Sequence, residues 1–411
     1  MKALVLAGGF PQIALIRELK SRNIQVLLAD YNAEPVAKAY ADRFFQVSTL
    51  DVPAITALAR EEKVDFLITA CTDQALLTVA QVSETLGLPC YIDYETARNV
   101  TNKSYMKQVF NRAGIPTAKH LILEKLETGA LAELRYPVIV KPVDCNSSKG
   151  VKKAMNEEEL LPAFAEAVAF SRTKTAVVEE FIQGREITVD VQVENGKAHV
   201  LSEAYSDKIA DKDKFVIFRT RYPVWEPDAI QCQIRETAQK IADAFGLVNS
   251  MMLIQLISDG ERIYVLEFSA RTGGGVKYRL IRQVSGFDVI KAVVDLTLGE
   301  IPHVQPSAPA AKYISNLFLY CHPGIFDRLE GFEELKQEGV LEEYFLFKWR
   351  GARMTGTSSS GDRIAGFTIL DDSLPALQKK YEIALSRIRV LDPEGKDILR
   401  HDLLTPLTYE N

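Results

Sequence analysis

The segment YVLEFSARTGGG, residues 264–275, leaves an apolar run with Glu267, Ser269 and Arg271 at every second position and follows them with Gly273, Gly274 and Gly275. In a strand, positions i, i+2 and i+4 share a face, so these polar side chains point one way while Leu266 and Phe268 point into a core. Three glycines let bare backbone N–H groups approach a ligand. The following VKYRLIRQVSG reads as a helix whose N-terminus opens on the same spot. This composition suits an anion held beside a carboxylate and an arginine.

Other segments carry related chemistry. Lys141 ends PVIVKP, where a charge is either the exposed end of a strand or faces a buried anion. The turn DCNSSKG, with Ser147 and Ser148, has the hydroxyls, amide and glycine of a loop that covers phosphates, although no G-x-x-x-x-G-K-[ST] is present. In AVVEEFIQGREITVDV, Glu179 and Glu180 end a β-branched run and Glu186 opens the next. The linker is either a hinge whose backbone pairs with an adenine edge while Glu186 accepts from ribose hydroxyls, or a solvated hairpin edge. Arg353 in GARMTGTSSSGDR suits a substrate carboxylate or a surface ion pair.

Three stretches of chain must position these groups. In the first hundred residues, the apolar runs KALVLAG, IQVLLAD and VDFLITA alternate with amphipathic segments, as in a βαβ layout. Gly8-Gly9 and Asp30 invite a dinucleotide reading, but GGFPQI lacks the G-x-G-x-x-G fingerprint. Thr72 and Asp73 end the third run at the kind of edge where ligands sit in open α/β sheets, and read more simply as the cap of the next helix. From about 100 to 300 the pattern becomes mixed α+β, with Asn195-Gly196 marking a type I′ hairpin. A third stretch begins after the proline-marked GEIPHVQPSAP and alternates short strands and helices.

Composition excludes several classes. A net charge of −6 without a long basic run argues against a nucleic-acid surface. Five cysteines, an odd number with no CxxC spacing, suit a reducing compartment and neither a disulfide framework nor a zinc site. MKALVLAGG is too short for a signal peptide, and no apolar run has membrane-spanning length. The expectation is a soluble, cytoplasmic protein with no nucleic-acid or membrane partner.

Taken in order and spacing, Lys103, Lys141, the NSSKG loop, VEEFIQGRE and MMLIQLISDGERIYVLEFSARTGGG resemble the ATP-grasp superfamily, in its carbamoyl phosphate synthetase-like and L-amino acid ligase-like branches. GDRIAGF is also similar to a segment of L-amino acid ligases. The resemblance implies a mixed α/β and α+β chain: a Rossmann-like pre-ATP-grasp domain over 1–100, an ATP-grasp domain over 101–302 with a lid lobe near 118–181, and a C-terminal α+β region over 303–411. It implies Lys103 and Lys141 on the α- and β-phosphates of ATP, Glu179, Glu180, Phe181 and Ile182 along the adenine, Glu186 on the ribose and Lys208 on the γ-phosphate. Gln255, Glu267 and Ser269 would hold Mg²⁺, with Mn²⁺ as a substitute, and Arg271 would hold the transferring phosphoryl group. Asparagine is usual where Ser269 stands, which leaves the occupancy of a second metal open.

The implied activity joins a small-molecule carboxylate to an amine through an acyl phosphate, releasing ADP and phosphate. The alternatives are a carboxylase or purine-pathway enzyme using bicarbonate or formate, a module that binds ATP without turnover, and a nicotinamide oxidoreductase. A homodimer is left open. For Gln255 and Glu267 to share a metal they must oppose each other. An unbroken antiparallel register would then pair Leu256 with Leu266 and Ile257 with Val265, around an odd-length turn at Glu261.

Overall fold

A computed structural model describes residues 1–126, 129–145, 149–209, 214–357 and 359–409. The N-terminal runs form a parallel sheet of four strands, in the order Arg43–Gln46, Gln25–Asp30, Lys2–Leu6, Phe66–Ile68. The last three are the apolar runs of the sequence, buried on both faces by the helices Phe10–Ser21, Val52–Glu61 and Asp73–Leu86. Gly8 serves packing here, since a Cβ on it would lie 2.5 Å from Pro35. Asp30 accepts from the backbone N–H of Gly8 at 2.6 Å and of Asn32 at 2.7 Å, which engages both its oxygens in the turn.

A small antiparallel lobe follows, with strand order His120–Leu123, Ala176–Glu180, Val138–Pro142, Lys152–Ala154. Helix Glu157–Phe170 packs on it through Leu160, Ala163, Phe164 and Ala167. That helix starts where Asn156 accepts from the Glu159 N–H, and three glutamates in its first turn complement the helix dipole.

The body is one eight-stranded sheet, ordered Ile263–Ser269, Ser250–Ser258, Arg185–Glu194, Lys197–Lys208, Ile217–Tyr222, Tyr313–Leu319, Ala365–Asp371, Glu343–Leu346. Asn195 and Gly196 both have positive φ, 50° and 80°, as a type I′ turn requires. The sheet runs across residue 303, because Tyr313–Leu319 pairs antiparallel with Ile217–Tyr222. The C-terminal stretch therefore shares a sheet with the central one and brings its side chains to the same face.

Candidate functional site

The strand pair Ser250–Ser258 and Ile263–Ser269 sets the geometry. Gln255 opposes Glu267, Leu253 opposes Ser269, and Ile254 opposes Phe268. Beyond that point the register slips: Leu256 faces Val265, Ile257 faces Tyr264, and Ser258 faces Ile263. The expected pairs Leu256–Leu266 and Ile257–Val265 do not form, because Leu266 is the extra residue of a β-bulge. The turn is correspondingly short. Asp259 accepts from the Glu261 and Arg262 N–H groups, and its own N–H donates to the Arg262 carbonyl at 3.1 Å, with Gly260 at φ 93°. A two-residue turn at Gly260–Glu261 stands where an odd-length one was expected, Gln255 still opposes Glu267, and Leu266 lines a cleft where a core position was expected.

Next to Glu267 stands Lys103, the first residue of helix Lys103–Ala113, whose start Asn102 caps. Its Nζ lies 3.0 Å from Glu267 Oε2 and donates to the Cys145 carbonyl at 2.8 Å. Burial alone would lower the Lys103 pKa, but Glu267 overrides it and raises it. One turn further along, Lys107 lies 2.9 Å from Glu179 Oε2, and Lys141 takes Glu179 Oε1 at 2.5 Å. Burial pushes the Glu179 carboxyl up, yet the two ammonium groups hold it down at about 2. Lys107 was not singled out in the sequence, although its i, i+4 spacing from Lys103 puts both on one helix face.

Glu179, Glu180, Phe181 and Ile182 line a cleft together with Lys103, Lys141, Glu186, Lys208, Gln255 and Glu267. Glu180 pairs with Arg135 at 2.9 Å, so neither Glu179 nor Glu180 offers the cleft an unpaired charge. Glu186 lies 2.7 Å from Lys208 and accepts a long 3.4 Å bond from Gln255 Nε2. Ser147 and Ser148 lie outside the described residues.

A second cavity, of about 750 Å³, adjoins this cleft, and Gln255, Glu267 and Lys208 line both. Its far wall comes from all three stretches of the chain: Asp73 from the first, Arg271, Gly273, Gly274 and Lys277 from the second, and Asn316, Phe318 and Arg363 from the third. Arg271 binds Asp73 bidentately, with Nε 2.6 Å from Oδ1. Burial raises the Asp73 carboxyl and Arg271 overrides it, leaving it below the usual range. Asp73 is therefore the partner of Arg271 and makes no helix cap, and Thr72, at the N-cap position, makes no side-chain cap bond.

Gly275 lies behind the wall at φ 68°, where a Cβ would sit 3.1 Å from Arg363 Nη1. Arg363 is stacked 3.7 Å from the Phe318 ring centroid, and its Nε donates to Tyr320 Oη at 3.2 Å. The expected Arg353 is placed elsewhere. It lies on a two-stranded ribbon opposite Ile325, exposed and outside the lining of both cavities, whereas Arg363 of GDRIAGF lines the larger one. The two arginines stand ten positions apart, and only the strand Ala365–Asp371, adjoining Tyr313–Leu319, decides which one faces inward.

The donor set fits a hard divalent cation. Glu267 supplies a carboxylate, Gln255 an amide oxygen opposite it, and Ser269 a hydroxyl on the same face. Among the described residues, no three His, Cys, Asp or Glu side chains converge into a cage. Mg²⁺ suits such a site, since it is held by one or two carboxylates and takes its other ligands from water and phosphate.

The D-ala D-ala ligase C-terminus family matches residues 108–267. The chain is 24% identical over 322 residues to formate-dependent phosphoribosylglycinamide formyltransferase from Actinobacillus pleuropneumoniae, covering 75% of this chain and 79% of that one. It is 24% identical over 405 residues to phosphoribosylamine–glycine ligase from Streptomyces coelicolor, covering 94% and 96%. The crystal structure of L-amino acid ligase from Bacillus licheniformis superposes with a TM-score of 0.78 at 19% identity, over 95% of this chain and 98% of that one. Residues 108–267, which run through the small antiparallel lobe into the large sheet, are thus similar to the D-ala D-ala ligase C-terminus family, and over 95% of its length the chain shares the fold of the L-amino acid ligase structure.

Proposed function

We propose that the protein is an ATP-dependent carboxylate–amine ligase that works through an acyl phosphate and releases ADP and phosphate. The observation that carries this reading is the position of Gln255 and Glu267 at the junction of the two cavities. Adenosine and the first phosphates belong in the smaller cleft, against Lys103 and Lys141, with Glu186 on the ribose. The γ-phosphate then emerges at the junction, where a carboxylate in the larger cavity meets it. Mg²⁺ held by Glu267 and Gln255 would neutralise the phosphate oxygens as charge concentrates there.

Arg271 faces the same point and stabilises the phosphoryl group in transfer once Asp73 releases it. The Gly273–Gly274 backbone lines the pocket for the acyl phosphate, and Arg363 at the far end suits an anionic substituent of a substrate. Closing the small lobe over the junction keeps water from the reactive intermediate.

Formate or bicarbonate as the acid is the second reading, favoured by the similarity to a formate-dependent enzyme. We place the protein in the cytoplasm on its charge and free cysteines, with small-molecule substrates; a homodimer is the simplest assembly. No helix among the described residues is long and apolar enough to cross a membrane. The test is ADP and phosphate release, with ATP and Mg²⁺, against a panel of proteinogenic amino acids, singly and in pairs, with formate and bicarbonate as further acids. Equal release of ADP and phosphate dependent on an acid supports the reading; AMP with pyrophosphate overturns it.

A further inference from the structure

An amine reaches the active site at neutral pH as an ammonium ion, which has no lone pair with which to attack an acyl phosphate. Some group must take its proton, and most described side chains in the larger cavity are engaged or unsuited. Asp73 is held by Arg271 and Glu267 by Lys103, while Asp144 Oδ2 accepts from the Arg172 and Thr173 N–H groups and lies 3.6 Å from the Arg172 guanidinium, its Oδ1 having no hydrogen-bond partner among the described residues. Arginines do not deprotonate. Burial raises the Cys71 thiol to about 12.

Lys277 differs from all of these. It is buried at 8% exposure yet lines the cavity beside Gly273, where a Cβ would meet its Cγ at 2.8 Å. Its Nζ donates to the Thr188 hydroxyl, which itself donates to the Ala204 carbonyl at 3.2 Å. Asp190 Oδ2 lies 3.6 Å from Nζ and accepts from Ser202 at 2.8 Å, whereas Asp190 Oδ1 is buried without a hydrogen-bond partner among the described residues. We propose that Lys277 is the proton acceptor for the amine substrate, with Asp190 as its positioning partner; this rests on the ligase reading.

The charge environment agrees with that role. Burial drives the Lys277 ammonium below the ordinary lysine range, opposed by Asp190 and, more weakly, Glu186. Burial likewise raises the Asp190 carboxyl, opposed by Lys277, Ser202 and Arg271. In the reaction the ammonium gives one proton to the neutral Lys277 amine. The freed nitrogen forms a bond to the acyl carbon, the carbon–oxygen bond to phosphate breaks with its electron pair leaving on phosphate, and the second nitrogen proton departs with the phosphate. The products are the amide, hydrogen phosphate and a Lys277 ammonium stabilised by Asp190.

Hydroxylamine separates the steps, because it is largely unprotonated at neutral pH and needs no base before it attacks. Wild type, Lys277→Arg and Lys277→Gln would be assayed with ATP, Mg²⁺ and the acid giving the greatest ADP release, using either hydroxylamine or each proteinogenic amino acid as nucleophile. The expected result is amide formation reduced about 100-fold or more in both variants, with hydroxamate formation within a few-fold of wild type. That retained activity also shows that the variants fold. Asp190→Asn should move the acid limb of the wild-type pH–rate profile for amide formation to lower pH, because it removes the charge that supports the ammonium.

A Lys277→Arg protein that forms amide at the wild-type rate, or variants that lose both nucleophiles alike, overturns the assignment, as does an acid limb unmoved in Asp190→Asn. A wild type that forms no hydroxamate with any acid defeats the ligase reading itself and the base with it.

Discussion

Replacing Glu179 by Gln removes the carboxylate that stands between two buried lysines, and the structure sets the size of the effect. Lys107 and Lys141 approach its two oxygens at 2.9 and 2.5 Å, with the glutamate 2% exposed. Lys141 and Glu179 belong to the small lobe, and Lys107 to the helix Lys103–Ala113 of the body, so the cluster ties lobe to body. Carrying the carboxyl from its ordinary 4.5 to about 2 corresponds to about 3.5 kcal/mol at roughly 1.4 kcal/mol per tenfold change.

Breaking a buried pair by removing one partner costs about 3–5 kcal/mol, because the remaining charges stay uncompensated. The folded-state pKa is depressed, so this stabilisation is fully present above pH 4.5 and is lost as the pH falls towards 2. Urea unfolding at pH 7 should therefore show the Glu179→Gln protein less stable by about 3–5 kcal/mol, and the gap should narrow steadily between pH 4.5 and the acid limit of the assay. Equal midpoints at pH 7, or a gap that holds constant into acid, would refute the buried cluster as a source of stability.

Glu267→Ala should lose Mg²⁺-dependent turnover by orders of magnitude, measured as ADP release, because it removes the only carboxylate of the metal set. Glu186→Ala should chiefly weaken ATP binding, by about 1–3 kcal/mol in a calorimetric titration, since Lys208 loses its partner and the ribose its acceptor. Arg363→Ala should raise the KM for one substrate at least tenfold, whereas Arg353→Ala should leave kinetics unchanged; equal effects of the two would falsify the cavity as drawn.

Much of the site was legible because chemistry imposes local spacing. Alternation in EFSAR puts Glu267, Ser269 and Arg271 on one face of any strand, and Asn-Gly at 195–196 is a turn in any context. The three N-terminal apolar runs that became strands were readable for the same reason, because a strand buried on both faces must be apolar throughout. The expectation of a strand over the Leu266 and Phe268 positions was also sound, but their shared orientation was not. The bulge at Leu266 reconciles a two-residue turn with the Gln255–Glu267 pairing, and strict alternation along the strand does not reveal it.

Contacts between distant stretches lay beyond the sequence altogether. Asp73 meets Arg271 across 198 residues, Lys277 meets Thr188 across 89, and Lys107 and Lys141 converge on Glu179 from separate elements. Periodicity states which face a residue occupies on its own element, never which element will oppose it. The sequence by itself determined the inventory of charges and the local strand and turn geometry. Tertiary structure alone decided their partners, bringing Arg363 to the wall of the larger cavity and Lys277 beside Asp190, because burial of one shared eight-stranded sheet fixes which faces meet.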